Sequence, residues 1–355
     1  MTQTTSFTVE LLERGASGYA AYAANLLLER HPEIKDRFAP DAFTTWKDHH
    51  AQRLRELAAA LAAEEPKLFV ERIRWARQAF QTRSLPEDAL TAGLRCLQEV
   101  LREEMPAGTG KDAAGYIDLA LAIFTEEAAD ADALALDPST PEGNLGLEYL
   151  RTVLEGNGRS AVDMVIGAVD AGLGVQKAYL DVLIPVQREV GRLWHSDQLS
   201  IAEEHLVTNT TKRLMSVLTH RAAPPEDNGK KVVSAGVAGN IHSLAVWVVA
   251  DFFEMAGWRS IGLGADVPSR DIAAAVEFFG ADLAVLSATL SVHIKRVGET
   301  IELIRGIQGR DVKILVGGMA FDEVPDLWRR LGADGSTLDA PKAVAEGARL
   351  VGLTG

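Results

Sequence analysis

The hydrophobic period of this chain changes once, at Arg221-Ala-Ala-Pro224-Pro225-Glu-Asp-Asn-Gly229. Beyond that linker, short β-rich runs at Lys230–Val237, Trp258–Gly264, Asp282–Ser287 and Val312–Val316 alternate with helical stretches. The stretches are Ser243–Ala256, Ser269–Phe279, Val292–Gln308 and Glu323–Leu331. A short fifth strand near Asp334–Thr337 and a last helix from Pro341 complete the set. Alternation at this spacing specifies a doubly wound parallel sheet, because each parallel strand needs a crossover and each crossover helix covers a sheet face. Residues 229–355 are therefore expected to form a Rossmann-like, flavodoxin-like domain of five strands. Ligands of such sheets sit beyond the carboxyl ends of the strands, at the switch point.

Upstream the chain reads as helix throughout. Residues 1–137 are rich in Ala, Leu, Glu and Arg and poor in β-branched residues, which predicts an N-terminal all-helical domain. Helices are expected over Asp41–Glu65, Pro66–Arg83, Ala89–Glu104 and roughly Ala113–Ala135. After the linker Asp137-Pro-Ser-Thr-Pro141, helical stretches follow at about 142–155, 159–172, 175–195 and 199–221. Short connections between helices of similar length favour antiparallel neighbours, so 138–224 reads as a four-helix bundle.

Charge and cysteine content exclude several roles. With 36 Lys+Arg against 50 Asp+Glu, the formal charge of −14 opposes nucleic acid and anionic membrane as partners. A 47% apolar, 24% charged composition is that of a globular chain. A single cysteine, Cys96, rules out an internal disulfide and fits a reducing cytoplasm. The N-terminus MTQTTSFTVE has neither a basic start nor an apolar core, so it is not a signal peptide, and no stretch is long and apolar enough to span a membrane. No catalytic triad, P-loop, zinc spacing or paired-carboxylate site is evident, so no independent enzyme is expected.

The chemistry-bearing residues cluster at the ends of the expected strands. The first is followed by Gly236-Val-Ala-Gly239-Asn240-Ile-His242-Ser243-Leu-Ala245, which puts a histidine at the crevice. Taken alone, this also fits a helix start capped by Ser243, with His242 incidental. The third strand ends in Ser287-Ala-Thr289-Leu290 and the fourth in Val316-Gly317-Gly318; small and hydroxyl residues there let a bulky ligand approach the backbone.

This arrangement resembles the cobalamin-binding domain with signature Asp-x-His-x-x-Gly, then Ser-x-Leu or Ser-x-Thr, then Gly-Gly. The resemblance implies that His242, flanked by Asn240 and Ser243, is the lower ligand of cobalt. It also implies that Ser287, Thr289, Gly317 and Gly318 line the pocket for the displaced nucleotide tail. Asn240 stands where the family has Asp, and Ala245 where it has Gly. The acid raises the basicity of the ligating imidazole, so Asn240 implies a weaker donor.

The bundle adds Trp194-His195 and, with nine residues between it and the Trp, the pair Glu204-His205. Taken alone, this is a helix–turn–helix junction with a core Trp. It is similar to the cap of light-dependent adenosylcobalamin repressors of carotenoid genes. In that family the Trp covers the upper corrin face, the Glu and His hold the adenosyl ribose region, and the histidine after the Trp binds cobalt from above after light. By position these are Trp194, Glu204, His205 and His195. The DNA-binding domain of those repressors has no counterpart in residues 1–137. Instead His49, His50, Arg53, Arg72 and Trp75 concentrate there, and the whole arrangement resembles photocobilins, which bind biliverdin beside cobalamin. An aromatic slot with cations suits the two bilin propionates, although Arg on such helices also serves as a solvated face and Trp75 as core. Cys96 reads as a small buried residue rather than a thioether site.

The expectation is thus a cytoplasmic light sensor holding adenosylcobalamin and biliverdin. It would act through a light-dependent homo-oligomer, expected to be a dimer, or an unassigned output protein, since the sequence ends at Gly355 with no output domain. Two alternatives stay open: a corrinoid carrier for methyl transfer, or a cobalamin-binding regulatory module without light response.

Overall fold

A computed structural model describes residues 3–106, 108–125, 135–222 and 226–353. The chain divides into two compact units. The first contains α1 (Gln3–Arg30), α2 (Pro32–Arg37), α3 (Ala42–Ala62), α4 (Pro66–Thr82), α5 (Glu87–Glu104) and α6 (Gly110–Ala122). Pro32 and Pro66 open α2 and α4, where a missing N–H has no helical acceptor to lose. Helix α3 packs along α1 and α4, and α5 along α1 and α6. Gly93 lets α5 close on α3, because a Cβ there would come within 2.7 Å of the Trp46 ring. Leu12, Leu27, Trp46, Leu57 and Phe69 are fully buried in this unit. The helix expected over Ala113–Ala135 ends earlier, at Ala122, followed by a 3-10 turn at Ile123–Thr125. Residues 126–134 of that stretch lie outside the described residues. Two later segments, Ala288–Glu299 and Met319–Leu327, also belong to the first unit.

The second unit begins with the bundle. It contains α7 (Pro141–Leu154), α8 (Gly158–Ala168), α9 (Val175–Lys177), α10 (Ile184–His195) and α11 (Ile201–Arg221). Two π-helical segments interrupt it, Val169–Leu173 and Ala178–Leu183. Both have local causes. Gly172 takes φ 109°, and Pro185 has no N–H to offer the carbonyl four residues back, so the turn before it widens. Thr140 caps α7 through the Gly143 N–H (3.0 Å), and Ser200 with Glu203 forms a capping box on α11.

The α/β part follows the expected order: β1 (Lys231–Val237), α12 (Leu244–Met255), β2 (Arg259–Val267), α13 (Ser269–Phe279), β3 (Leu283–Ser287), α14 (Ile294–Arg305), β4 (Lys313–Gly317), α15 (Met319–Asp322), α16 (Leu327–Arg330), β5 (Gly335–Ser336) and α17 (Ala340–Leu350). All pairs are parallel in the order β2-β1-β3-β4-β5, so the direction of winding reverses between β1 and β3. This is the flavodoxin-like sheet. The helix expected over Glu323–Leu331 is shorter, confined to α16 (Leu327–Arg330); α15 already ends at Asp322, and Pro325 in the gap cannot continue a helix begun before it.

Bundle and α12 share one hydrophobic core, in which Tyr149, Val153, Val186 and Leu214 are contiguous with Val248 and Phe252. A polar tie crosses the same seam. The Tyr179 hydroxyl donates to Asp251 Oδ2 at 2.7 Å, with Thr219 Oγ1 at 2.8 Å. Burial pushes both the phenol and the Asp251 carboxyl above their ordinary pKa ranges. Helix α12, which starts directly after His242, is thereby fixed to the bundle that carries Trp194.

Candidate functional site

The loop after β1 is built around Asn240, which is completely buried. Its Nδ2 donates to the Ser287 carbonyl at the end of β3 (3.0 Å). That bond fixes the amide orientation, leaving Oδ1 to accept from the backbone N–H of His242 (3.4 Å) and from His242 Nδ1 (3.1 Å). With the proton on Nδ1, the lone pair of Nε2 is left for a ligand. Desolvation lowers the His242 pKa, against the opposing field of Glu204, and favours this neutral, ligating form. Ser243 makes no capping hydrogen bond to α12, so the expectation that this is an ordinary capped helix start fails. Ile241, beside the histidine, is 75% exposed.

Ser287, Gly317 and Gly318 line one narrow cavity of about 90 Å³ between the strand ends, with Ala235, Val249 and Leu286 among its apolar walls. A Cβ at Gly317 would lie 2.6 Å from the Thr337 carbonyl, so only glycine fits there. Thr289 does not line this cavity; it falls in the Ala288–Glu299 segment of the first unit.

Trp194 and His195 end α10 and remain partly exposed, while Glu204 and His205 lie in the first turn and a half of α11. Glu204 hydrogen-bonds His205 Nδ1. The Thr208 hydroxyl lies 2.7 Å from Glu204 Oε1 and 2.9 Å from Gln187 Oε1. Gln187 Nε2 in turn donates to Thr211, which meets the Tyr149 hydroxyl, both buried. This chain of polar contacts anchors Glu204 from inside the bundle. Glu204 and His242 belong to the same compact unit, the first near the start of α11 and the second just before α12.

The N-terminal candidates do not form a comparable set. His49 stacks at 5.4 Å from Trp46 and 5.5 Å from Phe80, and His50 is buried beside them. Arg53 is buried against Glu56, and its Nη1 donates to the Arg72 carbonyl (3.2 Å). Arg72 pairs with Glu323 of the Met319–Leu327 segment. Both guanidinium groups thus already hold carboxylates of the protein. Trp75 is 40% exposed, and burial pushes the Cys96 thiol pKa up.

Sequence reasoning missed Asp266, whose carboxylate accepts from Gly239 N–H at 2.7 Å. Its signal was a lone acidic residue just past the strand expected to end at Gly264, in Gly264-Ala-Asp266-Val-Pro268; the strand runs on to Val267 and includes it.

Fold and site together define a Rossmann-like cobalamin-binding architecture with a helical cap. Two stretches match family models described as B12 binding domain, residues 230–346 and 147–219. The chain therefore carries cobalamin-binding domains, with a corrinoid as the implied cofactor class. It is 26% identical over 212 residues to a corrinoid protein of Desulfitobacterium hafniense, covering 58% of this chain and 96% of that protein. It is 28% identical over 186 residues to the HTH-type transcriptional repressor CarH of Myxococcus xanthus, covering 52% of this chain and 62% of the repressor. The monomethylamine corrinoid protein of Methanosarcina barkeri shares the fold, with TM-score 0.52 and 17% identity over 58% of this chain and 98% of that one.

The residues present fit such a group. Among the described residues, no cluster of three or more His, Cys, Asp or Glu side chains converges on one point. A single oriented imidazole suits a metal whose equatorial ligands arrive with the cofactor. The glycine that no side chain can replace borders the apolar cavity.

Proposed function

We propose that this protein is a light-responsive sensor that binds adenosylcobalamin between its bundle and its α/β part. The observation that supports this reading best is the set Trp194, His195, Glu204 and His205 at the α10–α11 junction, with Glu204 held by the Thr208 hydroxyl from inside the bundle. Adenosylcobalamin supplies a photolabile cobalt–carbon bond when bound. His242 offers Nε2 as lower ligand, and Asn240 holds the ring in the tautomer that leaves it free. Asn240 is neutral, so the donor is weaker than one paired with a carboxylate. Trp194 supplies the apolar lid, Glu204 and His205 the polar contacts beside it, and His195 a second imidazole on the upper side. Ser287, Gly317 and Gly318 would hold the tail, and Ser243 follows His242 directly in the chain. The shared core and the Tyr179–Asp251 bond make the α12–bundle seam the element that a change at the upper face would bias.

Biliverdin is proposed as a second chromophore near α3. Trp46 Nε1 and His49 Nδ1 are buried without a hydrogen-bond partner among the described residues, which supports a ligand there. Signalling is proposed to proceed through a light-dependent homodimer or an output protein in the cytoplasm. Among the described residues no helix is long and apolar enough to cross a membrane.

The test is to reconstitute the protein with adenosylcobalamin in the dark and illuminate it. A stable new spectrum with two histidines on cobalt is expected. His195→Ala keeps dark binding but loses that spectrum, and His242→Ala loses histidine ligation already in the dark. An unchanged spectrum on illumination sinks the sensor reading. The carrier alternative is favoured by the 96% coverage of the Desulfitobacterium corrinoid protein. It predicts instead that a methyltransferase partner methylates the bound cobalt. Added biliverdin should give a red-absorbing band that His49→Ala weakens.

A further inference from the structure

We propose that Asp266 is the positioning residue for the cobalt-ligand loop, an inference that rests on the cobalamin reading of His242. Asp266 holds the loop from the neighbouring strand by two reciprocal bonds. Its Oδ1 accepts from the Gly239 N–H at 2.7 Å, and its own N–H donates to the Asn240 carbonyl at 3.0 Å. Asn240 is thus gripped through its backbone by Asp266 and through its side chain by Ser287, and its remaining amide oxygen orients His242.

The backbone around Asp266 is shaped for this contact. The β1–β2 register runs Ser234 with Gly262, Ala235 with Gly264, then Val237 with Val267. Each step inserts an extra residue into β2, and such bulges re-aim a side chain next to a site. Asp266 itself sits at φ 56°. A non-glycine residue there is uncommon, although Asp and Asn tolerate it best, and such strain persists where the surroundings over-determine it. Gly236 opposite completes the fit, because a Cβ would lie 3.2 Å from Ala265 Cα and 3.4 Å from Asn240 Nδ2. Asp266 does not line the cavity and bonds to Gly239 and Asn240 of the loop, so its effect on a ligand passes through the loop.

Three variants separate the side-chain bond from the backbone strain. Asp266→Asn keeps an acceptor oxygen and tolerates the left-handed conformation. Asp266→Gly relieves the strain but removes the acceptor. Asp266→Ala removes the acceptor and keeps the strain. Each is reconstituted with hydroxocobalamin, reduced to the cobalt(II) state, and read by the nitrogen splitting of its paramagnetic resonance spectrum, with thermal melts confirming the fold. Wild type and Asp266→Asn should show the splitting of an axial histidine. Asp266→Gly and Asp266→Ala should lose at least half of it and bind hydroxocobalamin roughly 10-fold more weakly. Wild-type splitting and affinity in a folded Asp266→Gly overturn the positioning role. Wild type without splitting, indistinguishable from His242→Ala, overturns the His242 reading itself.

Discussion

Lowering the pH from 7 to 5 is expected to destabilise the N-terminal unit by about 4 kcal/mol, through His49 and His50. Burial lowers the His49 pKa to about 3, helped by the positive fields of Arg53 and His50. Burial lowers that of His50 to about 4, against the opposing pull of the Ala20 and Gly93 carbonyls. Both pKa values are depressed on folding, so the unfolded chain binds more protons below pH 6.5. The stability they confer is complete above that value and is lost as pH falls from 6.5 toward 4. At pH 5 the unfolded state gains about 2 kcal/mol for each ring, or roughly 1,000-fold in the opening equilibrium for both. Amide exchange in α3, followed from pH 7 to 5 and corrected for intrinsic rates, reads this directly. His49→Phe with His50→Leu should flatten the profile; an equally steep profile in that double variant would show that other groups are responsible. At neutral pH both rings are uncharged.

What was legible in the sequence followed local physics. The strand–helix alternation after Gly229 gave the sheet, because every crossover there is short and amphipathic. The bundle boundaries followed from Gly156, Gly172 and Gly174, and from Ser200. The His242 loop was readable because Gly239, Asn240 and His242 are contiguous. What stayed hidden was non-local or backbone-borne. Pro325 marked a break that helical composition around it obscured. The π-helical segments at Val169–Leu173 and Ala178–Leu183 depend on the positive φ of Gly172 and on how the carbonyl left without a donor by Pro185 is re-satisfied, which residue periodicity does not encode. Asp266 reaches Gly239 only through two register shifts in β2. Arg53 could have been paired with Glu56 from their i,i+3 spacing. The partner of Arg72 is 251 positions away, and only the fold reveals it.

That distant pair carries the second large effect. Arg72→Met is expected to destabilise the first unit by about 3–5 kcal/mol, the range for removing one member of a buried ion pair. Arg72 and Glu323 are 9% and 11% exposed at the side chain, so water cannot replace the lost partner. Desolvation lowers the Arg72 pKa, while the nearby Glu56 opposes that shift. The penalty arises from the stranded Glu323 charge rather than from the lost attraction, so Arg72→Met with Glu323→Leu should recover most of it. Urea unfolding of both single variants and the double variant gives the coupling energy. A single-variant loss under about 1 kcal/mol, typical of exposed pairs, would show that the contact is incidental. Amide exchange adds position. In Arg72→Met, protection should fall in α4 and in 319–327 together.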